Sequence, residues 1–416
     1  MTSPPAKIKA FVKQSSIWDL VGKFQIAMKV FGFANFTIDG KIEDGKIKTT
    51  FVDIIIAFAT NSLIFYLIYL NYNSNLSLIS TNSKVIDIGS RVVLLFEITN
   101  VFATSIIMFV RRHQLWGIFS RCHRLDGELS ALGMIFDHKK QHRNFFLASG
   151  LSILVFLLMS AITVYFLPQL IEPERSTNLI VSYLTINASM TISLLTIAFL
   201  LFALYQRFEL INSSIRHYFV TEEEDEMKPQ KPSKVLCKII AKLADLHDTL
   251  VDIVGSFNSC FTFQLMNVIA AMFMTNIFSI FAIYRVFVRY DYGQYERAII
   301  QYAWNCYFLL YGLAIITLAS LVTRTGKYTA VIVHKAVNYI FDDDDPVIDY
   351  LKMFSQQMQH RAPVVTCKLF TFDFTLLFTI IGATATYIVV LIQFDTDVTI
   401  PNKNSTIIGN FTNSTY

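Results

Sequence analysis

Residues 369–394, LFTFDFTLLFTIIGATATYIVVLIQF, allow few folds: they hold one charged side chain, Asp373, and are long enough to cross a bilayer. About 20 apolar residues, rising 1.5 Å each as a helix, cover the hydrocarbon core. Comparable stretches lie at about residues 53–72, 86–110, 145–167, 179–204, 258–287 and 300–323. The pattern predicts an all-α, polytopic membrane protein with seven transmembrane helices. Residues 24–36 are apolar in part but too short to span. Composition agrees, since 16% of the residues are charged against roughly 25% in soluble domains. The polar, lysine-bearing start shows no basic-hydrophobic-small cleavage pattern, so the first span is expected to act as an uncleaved anchor.

Lys and Arg in the connecting segments set the orientation of such a chain. They crowd residues 1–52 and the segments after spans two, four and six. The alternate segments hold only Lys84, Arg175, Arg289, Arg297 and Lys403. The expectation is a cytoplasmic N-terminus and an extracellular C-terminus, the reverse of a G-protein-coupled receptor. Sequons at Asn75, Asn404, Asn410 and Asn413 then fall outside, where glycosylation is expected. Asn35 and Asn212 fit the same pattern on the inner side, and Asn187 fits it within a span. Cys122, Cys237 and Cys367 lie in cytoplasmic segments, Cys260 near a cytoplasmic end and Cys306 inside a span. No pair is placed to form an outer-loop disulfide.

The inner segments are long and the outer ones short. Residues 327–341 and 347–360 read as helices, separated by Asp342, Asp343, Asp344, Asp345 and Pro346. Those aspartates lack the alternating ligand spacing of a calcium loop and read as a solvated helix break. The acidic run 222–226, followed by Pro229 and Pro232, reads as a flexible linker. After it, residues 235–254 carry Leu243, Leu246, Leu250 and Ile253 at helical spacing, an apolar face that needs a partner. His113, His123, His138 and His142 share a basic loop without metal-ligand spacing. No Walker loop, dinucleotide fingerprint or His-Glu-x-x-His motif is present, so the sequence suggests neither an enzyme nor a cofactor. A net charge of +4 scattered among loops gives no reason to expect a nucleic-acid partner.

The last span has a distinctive end. Thr386 and Tyr387 open the aliphatic run 388–392, which closes on Gln393 and Phe394. Residues three and four apart share a helical face, so Tyr387, Val390, Gln393 and Phe394 form one stripe. Gly382, Ala383 and Ala385 before it are small enough to admit another helix closely. This signature, with Phe354-Ser355, Gln357, His360-Arg361, Thr366-Cys367, Leu369-Phe370-Thr371, Asp373, Leu376-Leu377-Phe378 and Ile380-Ile381-Gly382-Ala383 before it, resembles the insect gustatory receptors. Those are seven-span ligand-gated cation channels related to insect odorant receptors. The resemblance is specific over roughly the last 45 residues, with a weaker echo at 243–258, and extends to the rest in span number and loop proportions.

The resemblance implies a tetramer, homomeric or with other gustatory receptors, in the plasma membrane of sensory neurons. Its central pore, passing cations such as Na, K and Ca, would be lined by span seven from each subunit. Tyr387, Val390, Gln393 and Phe394 become the pore candidates, with ordinary helix packing as the competing account. The resemblance also implies that spans four to six extend inward and, with the start of span seven, form an intracellular anchor. The expected segments are therefore 1–52 cytoplasmic, 53–323 with six spans and the ligand pocket, 324–368 the helical anchor segment, 369–394 the pore span, and 395–416 an extracellular tail.

Polar and aromatic residues inside spans are costly and mark cavities. Arg91, Glu97, Tyr183, Asn187, Asn276, Gln301, Trp304 and Asn305 gather in the expected outer half and are the ligand-binding candidates. Rings together with amide and charged groups suit a polyhydroxylated ligand, a sugar among them. For Tyr165, Tyr284, Arg285 and Tyr302 an interfacial belt is the alternative. The expected partners are thus a small tastant, permeant cations and membrane lipid. One sugar-receptor branch carries Glu after the motif tyrosine, where this chain has Ile388. An odorant-receptor-type subunit, a G-protein-coupled receptor and a secondary transporter are the rival readings. The last is disfavoured because no internal repeat or broken helix is evident.

Overall fold

The computed structural model describes residues 28–29, 36–39, 46–73, 84–134, 136–170, 173–219, 232–288, 295–339 and 346–398. The sequons at Asn75, Asn404, Asn410 and Asn413, the acidic run 222–226 and the aspartates at 342–345 lie outside them. A short antiparallel hairpin, β1 (Thr37–Asp39) and β2 (Lys46–Lys48), pairs Thr37 with Lys48 and Asp39 with Lys46. The longer elements among the described residues are helical: α1 (Phe51–Asn73), α2 (Lys84–Val110), α3 (Arg112–Ala131), α4 (His138–Leu170), α5 (Pro173–Phe219), α6 (Ser233–Val288), α7 (Tyr295–Tyr339), α8 (Pro346–His360) and α9 (Phe374–Val398). Among the described residues, six helices are long and apolar enough to span, and α1 adds a shorter apolar stretch, Phe51–Leu67.

Helix ends follow local chemistry. Thr50 and Asp53 close a reciprocal capping box on α1: the Asp53 carboxylate accepts from Thr50 N at 2.9 Å, and Asp53 N donates to Thr50 Oγ1 at 3.3 Å. Lys29 adds an ion pair to the same buried carboxylate at 2.6 Å. The α3 terminus turns on Gly133 (φ 86°), with Gly133 N bonded to Ser130 O and Met134 N to Leu129 O. That is the left-handed stop for which glycine is suited. Proline opens α5 and α8, where its missing N–H costs nothing.

Three helices far exceed the membrane. α6 has 56 residues, α5 has 47 and α7 has 45, or roughly 84, 70 and 68 Å at 1.5 Å per residue, against ~30 Å of hydrocarbon. The expected break at 323/324 therefore falls inside α7, and the helix read at 327–341 is its uninterrupted continuation to Tyr339. Likewise residues 235–254 are the first half of α6. Their apolar stripe does find its partner, since Leu243, Leu246, Leu250 and Ile253 are all fully buried against neighbouring helices, α8 among them.

At this end α5, α6, α7, α8 and the connection between α8 and α9 are tied together. His247 of α6 bonds the Gly326 carbonyl of α7 at 3.3 Å and lies edge-on between Phe208 and Phe354. Asn258 of α6 holds the connection between α8 and α9 twice, accepting from Thr366 N at 3.2 Å and donating to Val364 O at 2.7 Å. Arg361, beside His360 in the expected motif, pairs with Asp248 at 2.5 Å and with Asp252. Gly326 is required here, because a Cβ would lie 2.3 Å from Pro363 Cγ and 3.1 Å from Phe208 Cε1.

The seventh span starts later than expected. Residues 369–373 are not helical, and Lys368 takes a left-handed conformation (φ 71°) inside the turn closed by a one-pair bridge between Thr366 and Thr371. Asp373 then caps α9, accepting from Thr375 N at 2.9 Å and Leu376 N at 3.2 Å. The Thr371 hydroxyl, followed by these backbone bonds, holds the Asp373 carboxyl below its ordinary value. Apolar composition alone extended the expected span because Leu369, Phe370 and Phe372 are as hydrophobic as a helix interior.

Candidate functional site: a ring cage and an uncovered helix

Burial divides the bundle unevenly. α5 is its centre, with 72% of its most apolar window buried, whereas α4 reaches 11% and α9 only 6%. A peripheral apolar helix must meet either lipid or another protein.

Trp304, 1% exposed near the start of α7, is the focus of an aromatic cage. Phe156 of α4, Tyr183 of α5 and Tyr307 of α7 meet its ring edge-to-face at 5.6–5.7 Å, and Phe308 stacks at 6.1 Å. Such pairs contribute about 0.5–1.5 kcal/mol each beyond area burial. Its indole N–H donates to Thr163 Oγ1 of α4 at 3.0 Å. Of the sequence candidates, Tyr183 and Trp304 thus come together. Glu97 is half-buried on α2. Asn187 is buried but donates its amide to the Tyr183 carbonyl of its own helix at 2.8 Å. Asn276 and Asn305 pair with each other at 3.1 Å on the α6–α7 seam. Gln301 is half-buried, and Arg91 is exposed on α2.

Sequence reasoning did not find the hydroxyl cluster one turn deeper. Tyr311 meets Ser152, Tyr307 donates to Tyr311 at 3.4 Å, and Thr191 lies 3.3 Å from Tyr307. Each is a single hydroxyl in an apolar run, a pattern too common in membrane helices to stand out. It joins α4, α5 and α7 beneath the cage.

The stripe on α9 is uncovered within one chain. Tyr387 is 54% exposed, Val390 37% and Phe394 62%, and Gln393 is also exposed. Tyr387 touches the bundle edge-on through Phe273 of α6 at 5.9 Å. From 374 to 394, the one buried position is Thr384. The sequon-like Asn212 is fully buried, donating to Thr325 O at 3.0 Å and accepting from Thr329 at 2.7 Å, and Asn187 is buried too, so neither is presented for glycosylation. All five cysteines are free, and burial pushes the Cys122 thiol up to about 11. Among the described residues no group of three or more His, Cys, Asp or Glu side chains gathers as a metal site.

A bundle with six helices long and apolar enough to span, three of them far longer than a bilayer is thick, and one uncovered apolar helix defines a multi-pass membrane protein. The chain belongs to the 7tm chemosensory receptor family, whose model matches residues 26–397, and is therefore a receptor-family protein and not an enzyme. It is 33% identical over 160 residues to putative gustatory receptor 28a of Drosophila melanogaster, covering 37% of this chain and 35% of that protein. The match thus spans about a third of that relative's length. Putative gustatory receptor 28b of the same fly is 20% identical over 416 residues, covering 93% of this chain and 88% of that one. In fold the chain is similar to the insect olfactory receptor OR5 from Machilis hrabei, with a TM-score of 0.67 and 12% identity over 91% of this chain and 98% of that one. The same receptor in complex with eugenol matches with a TM-score of 0.53 and 12% identity, over 90% of this chain and 98% of that one.

Proposed function

We propose that the chain is a subunit of a ligand-gated, non-selective cation channel of the gustatory type, in the plasma membrane of sensory neurons. The observation that carries this reading is the placement of α9. It lies chiefly against α6 and α7, buried at one position, and leaves Tyr387, Val390, Gln393 and Phe394 uncovered. A helix so placed can line an axis shared by several copies, four by the resemblance. Had it sealed the bundle's own core, the stripe would be packed, as a self-contained receptor coupling to a separate partner requires.

The ring cage around Trp304 is the proposed ligand wall. Trp304 N–H and the Asn187 amide already have protein partners, so Glu97 and Gln301 remain for directed contacts. This favours a compact ligand read chiefly by its ring face over a sugar read by a fan of hydroxyl contacts. OR5 bound to eugenol is a relative holding a ligand of that size. A ligand moves a conformational equilibrium only through differential affinity for its two states, so the cage must differ between closed and open forms.

The test is a screen of sugars, bitter compounds and nutrients on cells expressing the chain alone, followed by excised patches. The proposal expects cation current in patches bathed without nucleotides. Current that disappears when GTP is withdrawn and returns with it would instead support the G-protein-coupled reading.

A further inference from the structure

Thr384, 5% exposed, is where α9 is pinned to the bundle, and the atom that meets it is polar. Asn276 Nδ2 of α6 donates to Thr384 Oγ1 at 3.4 Å, the long end of a hydrogen bond. The other end of the same amide, Asn276 Oδ1, accepts from Asn305 Nδ2 of α7 at 3.1 Å. Asn305 is 1% exposed, and its Oδ1 has no protein partner among the described residues. Three helices are therefore joined by a chain of two side-chain hydrogen bonds.

The chain begins one residue from the ring cage. Trp304 and Asn305 are adjacent and so point about 100° apart on α7. The first faces Phe156, Thr163 and Tyr183, and the second faces Asn276. A rotation of α7 that repacks Trp304 must also swing the Asn305 amide. The Asn276 amide can follow, because it holds Asn305 with its oxygen and Thr384 with its nitrogen. Apolar contacts between α6 and α9, such as Phe273 with Tyr387, slide over small displacements, whereas a 3.4 Å hydrogen bond is lost within a few tenths of an ångström.

We propose that Asn305, Asn276 and Thr384 form a polar relay coupling the ring cage to the seventh span, made in one gating state and broken in the other. This rests on the channel reading above. A bond of equal strength in both states would shift no gating equilibrium, however much it stabilised the fold. Gating current therefore separates the relay from a merely structural contact.

The experiment uses the full chain carrying Phe394→Ala, which supplies ligand-independent current if the pore reading holds. Asn276→Leu, Thr384→Val and their double variant are added, with current divided by surface density. Each single substitution is expected to change that current about fivefold in the same direction, the effect of one ordinary hydrogen bond on an equilibrium. The double variant should change it no further than either single, and Thr384→Ser, which keeps the hydroxyl, should match the parent. The reversal potential should stay fixed in all four. Multiplying effects in the double variant, or singles within 1.5-fold of the parent, would overturn the relay while leaving the channel standing. Absence of current from Phe394→Ala at normal surface density would overturn the placement of the pore on α9 and, with it, the relay to that helix.

Discussion

Arg207 and Asp126 meet at 2.5 Å with the guanidinium fully buried and the carboxylate 5% exposed. Arg207 also donates to the Ala203 carbonyl at 2.8 Å and lies 5.0 Å over the Phe136 ring, while His138 approaches the same carboxylate at 3.9 Å. The pair joins α3 to α5 just where α5 runs on towards Phe219. A charge so placed is tolerable only while its partner stays.

Removing that partner should therefore be worse than removing both. Asp126→Ala is expected to cost about 3–5 kcal/mol by stranding the buried guanidinium. Asp126→Leu combined with Arg207→Met should recover most of the loss. Thermal midpoints of the detergent-solubilised protein decide it, and a double variant as unstable as Asp126→Ala would contradict the expectation.

The long ends of α6 and α7 and a glycine on α3 offer a paired test of packing. Gly326→Val should destabilise by roughly 1–3 kcal/mol through overpacking, since its Cβ would lie 2.3 Å from Pro363 Cγ. Gly127, mid-helix in α3, has open space around it. Gly127→Ala should raise stability by about 0.5–1 kcal/mol by removing glycine's entropic cost. The same thermal midpoints are read, and opposite signs are expected.

The basic segments predict the orientation. An epitope after Tyr416 should stain on intact cells, and one at the N-terminus only after permeabilisation. The reverse pattern would remove the channel reading, because the long ends of α5, α6 and α7 would then lie outside the cell.

Much of this architecture was legible in the sequence, for physical reasons. The stripe Leu243, Leu246, Leu250 and Ile253 marked a buried helical face before any partner was known, because burial in water demands periodicity. Within the membrane that signal fades, since lipid-facing and core-facing residues are equally apolar, and α4 and α5 look alike in composition despite 11% and 72% burial. Sequence also hid Arg207. Counted among the loop charges that set orientation, it is instead buried with Asp126, a contact between residues far apart in the chain. The start of the last span was read early because hydrophobicity does not record the Asp373 cap.

The candidate site was legible in part. Tyr183 with Trp304, and Asn276 with Asn305, were named from being costly inside spans, and the fold joins each pair. Their division into a ring cage and an amide relay depends on which way α7 is rotated, which a list of residue types does not encode. Trp304→Ala should accordingly weaken the response to any agonist the screen yields without moving the reversal potential. A shifted reversal potential would place Trp304 in the permeation path.

The central claim is that α9 lines a cation pore, and whole-cell recording of two substitutions tests it most directly. Phe394 and Gln393 are about 100° apart on one helix, and both are uncovered in the single chain. If Phe394 occludes the closed axis and Gln393 turns towards it on opening, Phe394→Ala should raise ligand-independent current by letting water into the constriction. Gln393→Glu should raise divalent over monovalent permeability, as a ring of carboxylates attracts divalent ions. With surface expression matched, unchanged basal current in the first and unchanged permeability ratios in the second would mean that the stripe only packs and that the pore lies elsewhere.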